Sequence, residues 1–344
     1  MHKTIGWDIG GAHLKAVLLD CQGHVIHVQQ VSCPLWLGLD QLETAISNVL
    51  EDFELKSNEA FHAITMTGEL VDLFANRHDG VVQIVQLTAS LLGVDIWFYY
   101  MDKLNQHCFL HRNDALENTN MIASANWHAS ARLLSKEMPN ALLVDIGSTT
   151  TDIIAVEGGI VANTGYTDAE RMQLDTLVYT GVVRTPVMAV TQKLAVEGTE
   201  TNVAAEYFAT MADVYRLTGE LPEVFDLTDT ADGEAKTLIA SAARLARMVG
   251  HDGEDKPIDV WQQLARDCRA KQLQQIKWAV LKHIKDGMTI VGAGVGRFLV
   301  QSLADELPYP YADFASQLKG DDKHVAACLP AYAVAQLAFL KRSA

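Results

Sequence analysis

Two stretches of the chain couple a carboxylate to a glycine turn in the same way. One is Gly6-Trp-Asp8-Ile-Gly10-Gly11; the other is Val144-Asp145-Ile-Gly147-Ser-Thr-Thr-Thr-Asp152. In each, an apolar run reaches an Asp, a tight turn follows, and a second apolar run leads away. A glycine-rich turn lets backbone N–H groups converge on an anion, because no Cβ blocks the approach. Gly10, Gly11 and Ala12 are the candidate donors in the first turn. Gly147, Ser148 and Thr149 are those in the second, where the hydroxyls of Thr149, Thr150 and Thr151 can add to them. Asp8 and Asp145 stand at strand ends beside the expected phosphate. Carboxylates placed so hold Mg2+ or orient a nucleophile, since a hard cation takes oxygen ligands. One Asp-x-Gly-Gly alone reads as an ordinary hairpin. Two with matching flanks, followed by the third glycine turn Gly292-Ala-Gly294-Val-Gly296, favour a phosphate site. That third turn sits between an expected strand and an expected helix, a common nucleotide-binding arrangement. A dinucleotide fold is the rival reading of it, but its pattern wants Gly or Ala where Arg297 stands.

Other side chains carry two readings each. Lys15 shares a strand face with His13 and either meets phosphate or is a solvated lysine. Glu69, after Thr67-Gly68, either binds a substrate amine or a metal, or is a carboxylate near a helix N-terminus. Asp152 is a metal ligand, a base, or a partner of its own turn. Arg184 lies in an apolar stretch, so it pairs with a substrate carboxylate or phosphate, or with a structural Asp. Asp168 closes the polar run 164–168, a loop of the site or a surface turn. His107 and His111 are four apart beside Cys108, but zinc needs further ligands and none is evident nearby, so satisfied or exposed histidines are expected. Arg244 and Arg247 near Asp252 read as a solvated charge cluster. There is no G-x-S-x-G elbow, no cysteine in an evidently electropositive setting, and no histidine cluster for a binuclear hydrolase.

The elements that must position these residues alternate strand and helix. Strands are expected at 3–8, 13–19, 24–31, 61–67, 95–101, 141–145, 160–163 and 288–291. Helices are expected at 40–53 with Asp40 as N-cap, 82–92, 119–134, 204–217, 233–249, 258–284, 297–307 and 324–339. The only internal echo is the pair of hairpins, which suggests two related halves at 1–138 and 139–322, with a buried final helix at 323–344 crossing back to the first half.

The 344 residues are 49% hydrophobic and 20% charged, which suits two domains of ordinary size. With 27 Lys and Arg against 43 Asp and Glu, the formal net charge is −16. That balance speaks against nucleic acid as a partner, which needs a basic face. It does not oppose a small phosphorylated substrate, whose site needs only local donors. Five scattered cysteines without a C-x-x-C pair read as reduced thiols in a cytoplasmic protein. The longest apolar stretch, 326–340, is broken by Pro330 and Gln336 and falls short of a membrane span. A homo-oligomer is compatible with all of this.

The three glycine turns, in this order, resemble the superfamily of actin, the heat-shock chaperones and the sugar kinases. Within it, the chain is similar to the hydantoinase/oxoprolinase group, and most to its branch that assembles methanofuran-type cofactors, including bacterial relatives in tetrahydromethanopterin-linked one-carbon metabolism. Besides the turns, the resemblance is carried by Thr67-Gly-Glu69-Leu, by Tyr179-Thr-Gly-Val-Val-Arg184-Thr-Pro186 and by Ala209-Thr-Met-Ala-Asp213-Val-Tyr. It covers essentially the whole chain. It implies an α/β protein with the duplicated actin-like ATPase (ribonuclease H-like) fold, two domains flanking a cleft that holds the site. It also implies a transferase, which would join an aminomethyl-furan methyl diphosphate to the phenol oxygen of a γ-glutamyl-tyramine unit and release diphosphate. Asp8, Asp145, Lys15, Glu69 and Asp152 would then be the catalytic candidates. Asp8 and Asp145 would hold Mg2+. Gly10, Gly11, Ala12, Gly147, Ser148, Thr149, Thr150, Gly292, Gly294 and Gly296 would bind phosphate or nucleotide, and Arg184 and Asp168 the rest of the substrate. ATP is compatible with such a fold but not required by it. An ATP-dependent kinase or amide-cleaving oxoprolinase, and a nucleotide-dependent conformational protein, are the alternatives.

Overall fold

The computed structural model describes residues 3–101, 108–162, 165–317 and 323–343. The first stretch of chain holds β1 (Lys3–Ile9), β2 (His13–Leu19), β3 (Val25–Ser32), α1 (Leu39–Asp52), β4 (Ala60–Met66), α2 (Arg77–Leu92), β5 (Ile96–Tyr99), β6 (Phe109–Leu110), α3 (Arg112–Glu117), α4 (Thr119–Ile122) and α5 (Asn126–Glu137). There follow β7 (Ala141–Ile146), β8 (Thr151–Glu157), β9 (Ile160–Val161), α6 (Asp168–Gln173), β10 (Leu177–Val178), α7 (Val187–Val190), β11 (Lys193–Val196), β12 (Thr199–Asn202), α8 (Met211–Thr218), α9 (Leu238–Arg247), α10 (Ile258–His283), β13 (Thr289–Ala293), α11 (Arg297–Ala304), β14 (Tyr311–Asp313), α12 (Lys323–Ala327) and α13 (Leu329–Ser343). They divide into two compact units, one of residues 1–141, 154–168 and 314–344, the other of 142–153 and 169–313.

The first unit is built on a sheet ordered β3-β2-β1-β4-β5-β6. β1 pairs antiparallel with β2 and parallel with β4. Such a centre strand is shielded on both faces, and Ile5, Trp7 and Ile9 are buried accordingly. α13 lies so close to β1 that a Cβ on Gly6 would stand 2.0 Å from the Ala331 carbonyl oxygen. Only glycine permits that approach, and the apolar 329–338 stretch of α13 is buried as a result.

In the second unit the sheet runs β10-β8-β7-β13-β14, with β10 antiparallel to β8 and β13 parallel to β14. Apart from β6 at the edge of the first sheet and the two-residue β9, which pairs with β8 off the path of the second, each sheet numbered from its own first strand reads 3-2-1-4-5. That order, with a hairpin first and parallel strands after it, is the ribonuclease H-like topology, present twice. The link between the third and fourth strands is residues 33–59 in the first unit and 179–288 in the second, where most of the helices sit.

Several expected elements differ in detail, each for a local reason. α1 starts after Gly38, whose φ of 149° lets the Asp40 carboxylate fold back over it, so Asp40 lies inside the first turn and is not the cap. α2 begins five residues early because Asn76 caps it, its Oδ1 accepting the Asp79 N–H at 3.0 Å. The single helix expected at 119–134 is broken between α4 and α5, where Ser124 adopts φ 51°. The helix expected from residue 204 starts at Met211, since Thr210 and Asp213 form a capping box. The β11–β12 hairpin was not expected; its signal is Glu197-Gly198, both at positive φ, between alternating runs. Arg244 is completely buried and not solvated: its Nε donates to Asp213 Oδ1 at 2.8 Å, and Arg216 and Ser241 donate to the same oxygen. A buried carboxylate needs such donors, which Thr210 N–H completes from the backbone.

Candidate functional site

In the first unit, Asp8 is 5% exposed and lies directly across β1 and β2 from Lys15. Cross-strand partners share a sheet face, so the carboxylate, the half-buried ammonium and His13 two residues before it line one side. The hairpin is closed by the Gly10 N–H, which donates to the His13 carbonyl at 3.0 Å. Gly10 is thus a turn-former whose amide is already engaged. The two carbonyls that follow are tied back by the segment after β3: Leu35 N–H donates to Gly11 O at 3.0 Å and Cys33 N–H to Ala12 O at 2.9 Å. Fixing the carbonyls leaves the amide side of Gly11 and Ala12 to meet an anion.

The 67–71 segment packs on this turn. Thr67 N–H donates to Ile9 O at 2.9 Å, and a Cβ on Gly68 would lie 3.2 Å from Ile9 O and 3.3 Å from Gly10 O. Glu69 follows in a 3-10 turn and is 1% exposed. Its Oε1 accepts the Ser124 hydroxyl at 2.8 Å, which explains the break between α4 and α5. Burial pushes the Glu69 carboxyl up to about 7, the nearby Asp168 adding to the rise and Ser124 and Arg77 opposing it. Asp168 is 7% exposed, and its Oδ2 accepts from Arg77 Nη2 at 2.6 Å.

The second unit repeats the plan with other residues. Gly147 N–H donates to Thr150 O at 2.9 Å, so its amide too closes a hairpin. Counting back from that bond, as Gly10 and His13 lead back to Asp8 and Lys15, sets the half-buried Asp145 opposite Asp152. Here the turn carbonyls are tied back by 182–184: Val182 N–H donates to Gly147 O, and Val183 and Arg184 N–H both donate to Ser148 O. Gly181 touches the turn itself; a Cβ there would be 2.4 Å from Thr149 N. Gln272 holds this strap from α10, its Nε2 donating to Thr180 Oγ1 at 2.7 Å and Gly181 O at 2.9 Å. The Arg184 side chain is half-buried and its charge reaches Tyr207. Asp152 Oδ1 accepts from Arg171 Nη2 at 2.6 Å, and Arg171 is 2% exposed.

Gly294 and Gly296 form a turn on the base of this hairpin, whereas Gly292, expected to share it, lies within β13 and packs against Tyr311 of β14. Gly294, at φ 80°, stands where a Cβ would be 2.4 Å from Asp145 Oδ1, and Gly296 N–H donates to Ile146 O at 2.8 Å. Asp145, Asp152, Gly147, Ser148, Thr149, Thr150, the strap before Arg184 and the third glycine turn are therefore brought together. Asp8, Lys15, Gly10, Gly11, Ala12 and Glu69 are gathered in the first unit, with Asp168 and Arg77 near Glu69. Sequence reasoning missed Ser124, Arg77, Arg171 and Gly181. Only Gly181 had a signal, its place inside Tyr179-Thr-Gly-Val-Val-Arg184.

Among the described residues, no three His, Cys, Asp or Glu side chains gather to hold a metal by themselves. The donor set at each hairpin is one or two carboxylates beside a phosphate-type turn, which suits Mg2+ completed by water and phosphate oxygens. His111 is exposed, with its ring against the edge of Trp97; His107 and Thr164 lie outside the described residues. A groove of about 800 Å³ opens in the second unit between 188–200 and α10, but it is lined by Lys193, Glu200, Asp267 and Lys271 and contains none of the candidate residues. Among the described residues, no helix is long and apolar enough to cross a membrane.

Two ribonuclease H-like units, each carrying a tied-back glycine turn beside a strand-end Asp, define a protein of the actin-like ATPase fold. The chain belongs to the hydantoinase/oxoprolinase family, whose model matches residues 62–314. A (4-{4-[2-(gamma-L-glutamylamino)ethyl]phenoxymethyl}furan-2-yl)methanamine synthase of Methanocaldococcus jannaschii is 30% identical over 97% of this chain and 96% of its own length. The enzyme of the same name from Methanococcus vannielii is 37% identical over 33% of this chain and 50% of its own length. Among solved structures, the (R)-2-hydroxyglutaryl-CoA dehydratase component A of Acidaminococcus fermentans superposes at a TM-score of 0.49 with 16% identity, covering 100% of both chains.

Proposed function

We propose that this chain is a transferase that forms an aryl ether. It joins an aminomethyl-furan methyl diphosphate to the phenol oxygen of γ-glutamyl-tyramine and releases diphosphate, in the assembly of a methanofuran-type cofactor for tetrahydromethanopterin-linked one-carbon metabolism. The observation that carries this reading is the similarity, along nearly the whole length of both chains, to a synthase whose name spells out that ether. The two turns suit the chemistry. A furan-methyl cation is stabilised by resonance, so departure of the charged leaving group limits the reaction. The Gly11 and Ala12 amides, with Lys15, and the Ser148 and Thr149 amides, with the Thr149 and Thr150 hydroxyls, are donors of the kind that hold phosphate oxygens and take up charge as it develops; the buried Thr151 hydroxyl is spent on Thr180 O at 2.6 Å. Asp8 in one hairpin and Asp145 in the other are the residues that would hold Mg2+, which supplies charge neutralisation on a departing diphosphate. Arg184 would bind a substrate carboxylate.

The small-molecule substrate, cytoplasmic setting and homo-oligomeric state are part of the same proposal. The test is incubation with Mg2+, the furan diphosphate and γ-glutamyl-tyramine, with separate incubation with ATP. Diphosphate and the coupled ether appearing only when both substrates are present is the expected result. ADP or phosphate from ATP, with no ether, would overturn it in favour of the ATP-dependent amide-cleaving chemistry that the oxoprolinase part of the family name suggests.

A further inference from the structure

We infer that Glu69 is the residue that recognises the primary ammonium of the furan substrate. The inference rests on the function proposed above, which supplies the amine; the geometry supplies the receptor.

Glu69 Oε1 is satisfied by Ser124, whereas Oε2 is enclosed and, among the described residues, has no hydrogen-bond partner. A buried carboxylate oxygen left so is costly unless a ligand completes it. The carboxyl cannot easily turn away to find water. Its backbone is wedged between the first hairpin and α2, where a Cβ on Gly80 would stand 2.8 Å from both Glu69 Cα and O. The charged groups that act on it are Arg77 at the start of α2 and Asp168 at the start of α6, and these two are paired with each other at 2.6 Å. From the 119–125 segment comes the neutral Ser124 hydroxyl; the neighbouring His78 is engaged by Thr119 at 2.8 Å. The site therefore offers a carboxyl oxygen without a donor, and the cation that acts on it, Arg77, is already paired with Asp168.

A phenol would bring a donor without a charge. A metal ion would want more oxygen ligands than this carboxyl provides, and no third acidic side chain gathers with it among the described residues. A primary ammonium brings donors and a charge together. The surroundings fit the rest of such a molecule. Trp36 and Leu37 follow Leu35, whose N–H holds the hairpin turn, and Leu70 and Leu73 follow Glu69; all four are exposed apolar side chains on segments that pack on that turn.

Without ligand the carboxyl keeps most of its proton at pH 6, since burial raises it to about 7. Binding of the ammonium ionises it: the proton leaves the carboxylic acid for the buffer, and an ammonium–carboxylate pair remains. The test compares wild type and Glu69→Gln on two substrates, the aminomethyl-furan methyl diphosphate and the analogue with methyl in place of aminomethyl. For the amine, KM should rise about 30-fold in the variant with little change in kcat. For the methyl analogue the change in KM should be much smaller than for the amine. Calorimetry at pH 6, in buffers of different ionisation enthalpy, should show a proton released when wild type binds the amine and none for Glu69→Gln. Equal losses on both substrates, or no proton release from wild type, overturns the inference. Glu69→Asp, which withdraws the carboxylate by one methylene, should fall between wild type and Gln and guards against a misfolded Gln variant. If wild type makes no ether from either substrate, the function proposed above fails, and the calorimetry still decides whether Glu69 reads the amine.

Discussion

The two hairpins share a closing bond, a strand-end Asp and a strap that ties back the turn carbonyls. They differ at the residue facing that Asp. In the first hairpin Asp8 faces Lys15; in the second Asp145 faces Asp152. The straps come from equivalent places, just after the third strand of each sheet, yet one is Cys33–Leu35 and the other Val182–Arg184. Duplication has kept the backbone device and exchanged the charge beside it. A facing lysine makes the first hairpin the better seat for phosphate oxygen. Two facing carboxylates would suit the second to the proposed divalent cation, with Arg171 holding Asp152 in place at 2.6 Å.

The largest effect that would test this difference is on turnover. Asp8→Asn and Asp145→Asn should each lower kcat about 10³-fold while the protein stays folded by circular dichroism. The Mg2+ concentration for half-maximal rate should rise clearly in Asp145→Asn and much less in Asp8→Asn. The opposite order would reverse the division of labour. Next in size is Arg171→Ala. It strips a buried carboxylate pair of its cation, with Arg171 2% and Asp152 16% exposed, and should cost about 3 kcal/mol in urea unfolding.

Glu69 gives the first unit a pH dependence of comparable size. Its carboxyl ionises near 4.5 when unfolded and near about 7 when folded. Between those values the folded protein keeps a proton that the unfolded chain has lost. The stabilising share of this group is therefore fully present below about pH 4.5 and is lost as pH rises through about 7. Glu69→Gln should remove that slope and be more stable than wild type at pH 8, by up to about 3 kcal/mol. A variant that is less stable than wild type at pH 8 would mean that the carboxylate is well compensated in the free protein.

A smaller contrast lies in the straps. Gly181→Ala puts a Cβ against the backbone of Ser148 and Thr149, which cannot yield, and should cost about 2 kcal/mol together with activity. Gly11→Ala meets only a Val71 methyl at 2.7 Å, the end of a side chain that can rotate, and should cost less than about 1 kcal/mol. Equal costs would show that both turns are held with the same rigidity.

What was legible in the sequence follows from range. The hairpins around Asp8 and Asp145 were readable because apolar alternation, Asp and Gly are local signals, and β2 falls where its pattern puts it. The packing of Gly294 on Asp145 was not readable, since the contact spans residues 145 and 294 and the glycine spacing alone equally suits a dinucleotide turn. Glu69 stood out by its place after a strand, but its burial depends on Ser124 from a helix break 55 positions away. Arg244 was misread because a charged pair on a helix face is usually solvated, and nothing near it announces Asp213. Likewise, the engagement of the Gly10 and Gly147 amides could not be seen in composition; it depends on which carbonyl the turn brings around.

The smallest expected effect is also the one that separates the two units' ion pairs. Arg77 pairs with Asp168 at the same 2.6 Å as Arg171 with Asp152, but the Arg77 side chain is 43% exposed. Solvent screens such a pair, so Arg77→Ala should cost less than about 1 kcal/mol. Its consequence lies elsewhere. Arg77 lowers the Glu69 carboxyl and Asp168 raises it. Removing the arginine leaves the buried Asp168 charge unopposed, so the pH at which Glu69 loses its proton should move up. Following the Glu69 carboxyl carbon by NMR through a pH titration reads this directly. A midpoint that stays put or falls would mean that Arg77 acts on Asp168 alone, and that the charge around Glu69 is set by burial without help from the pair.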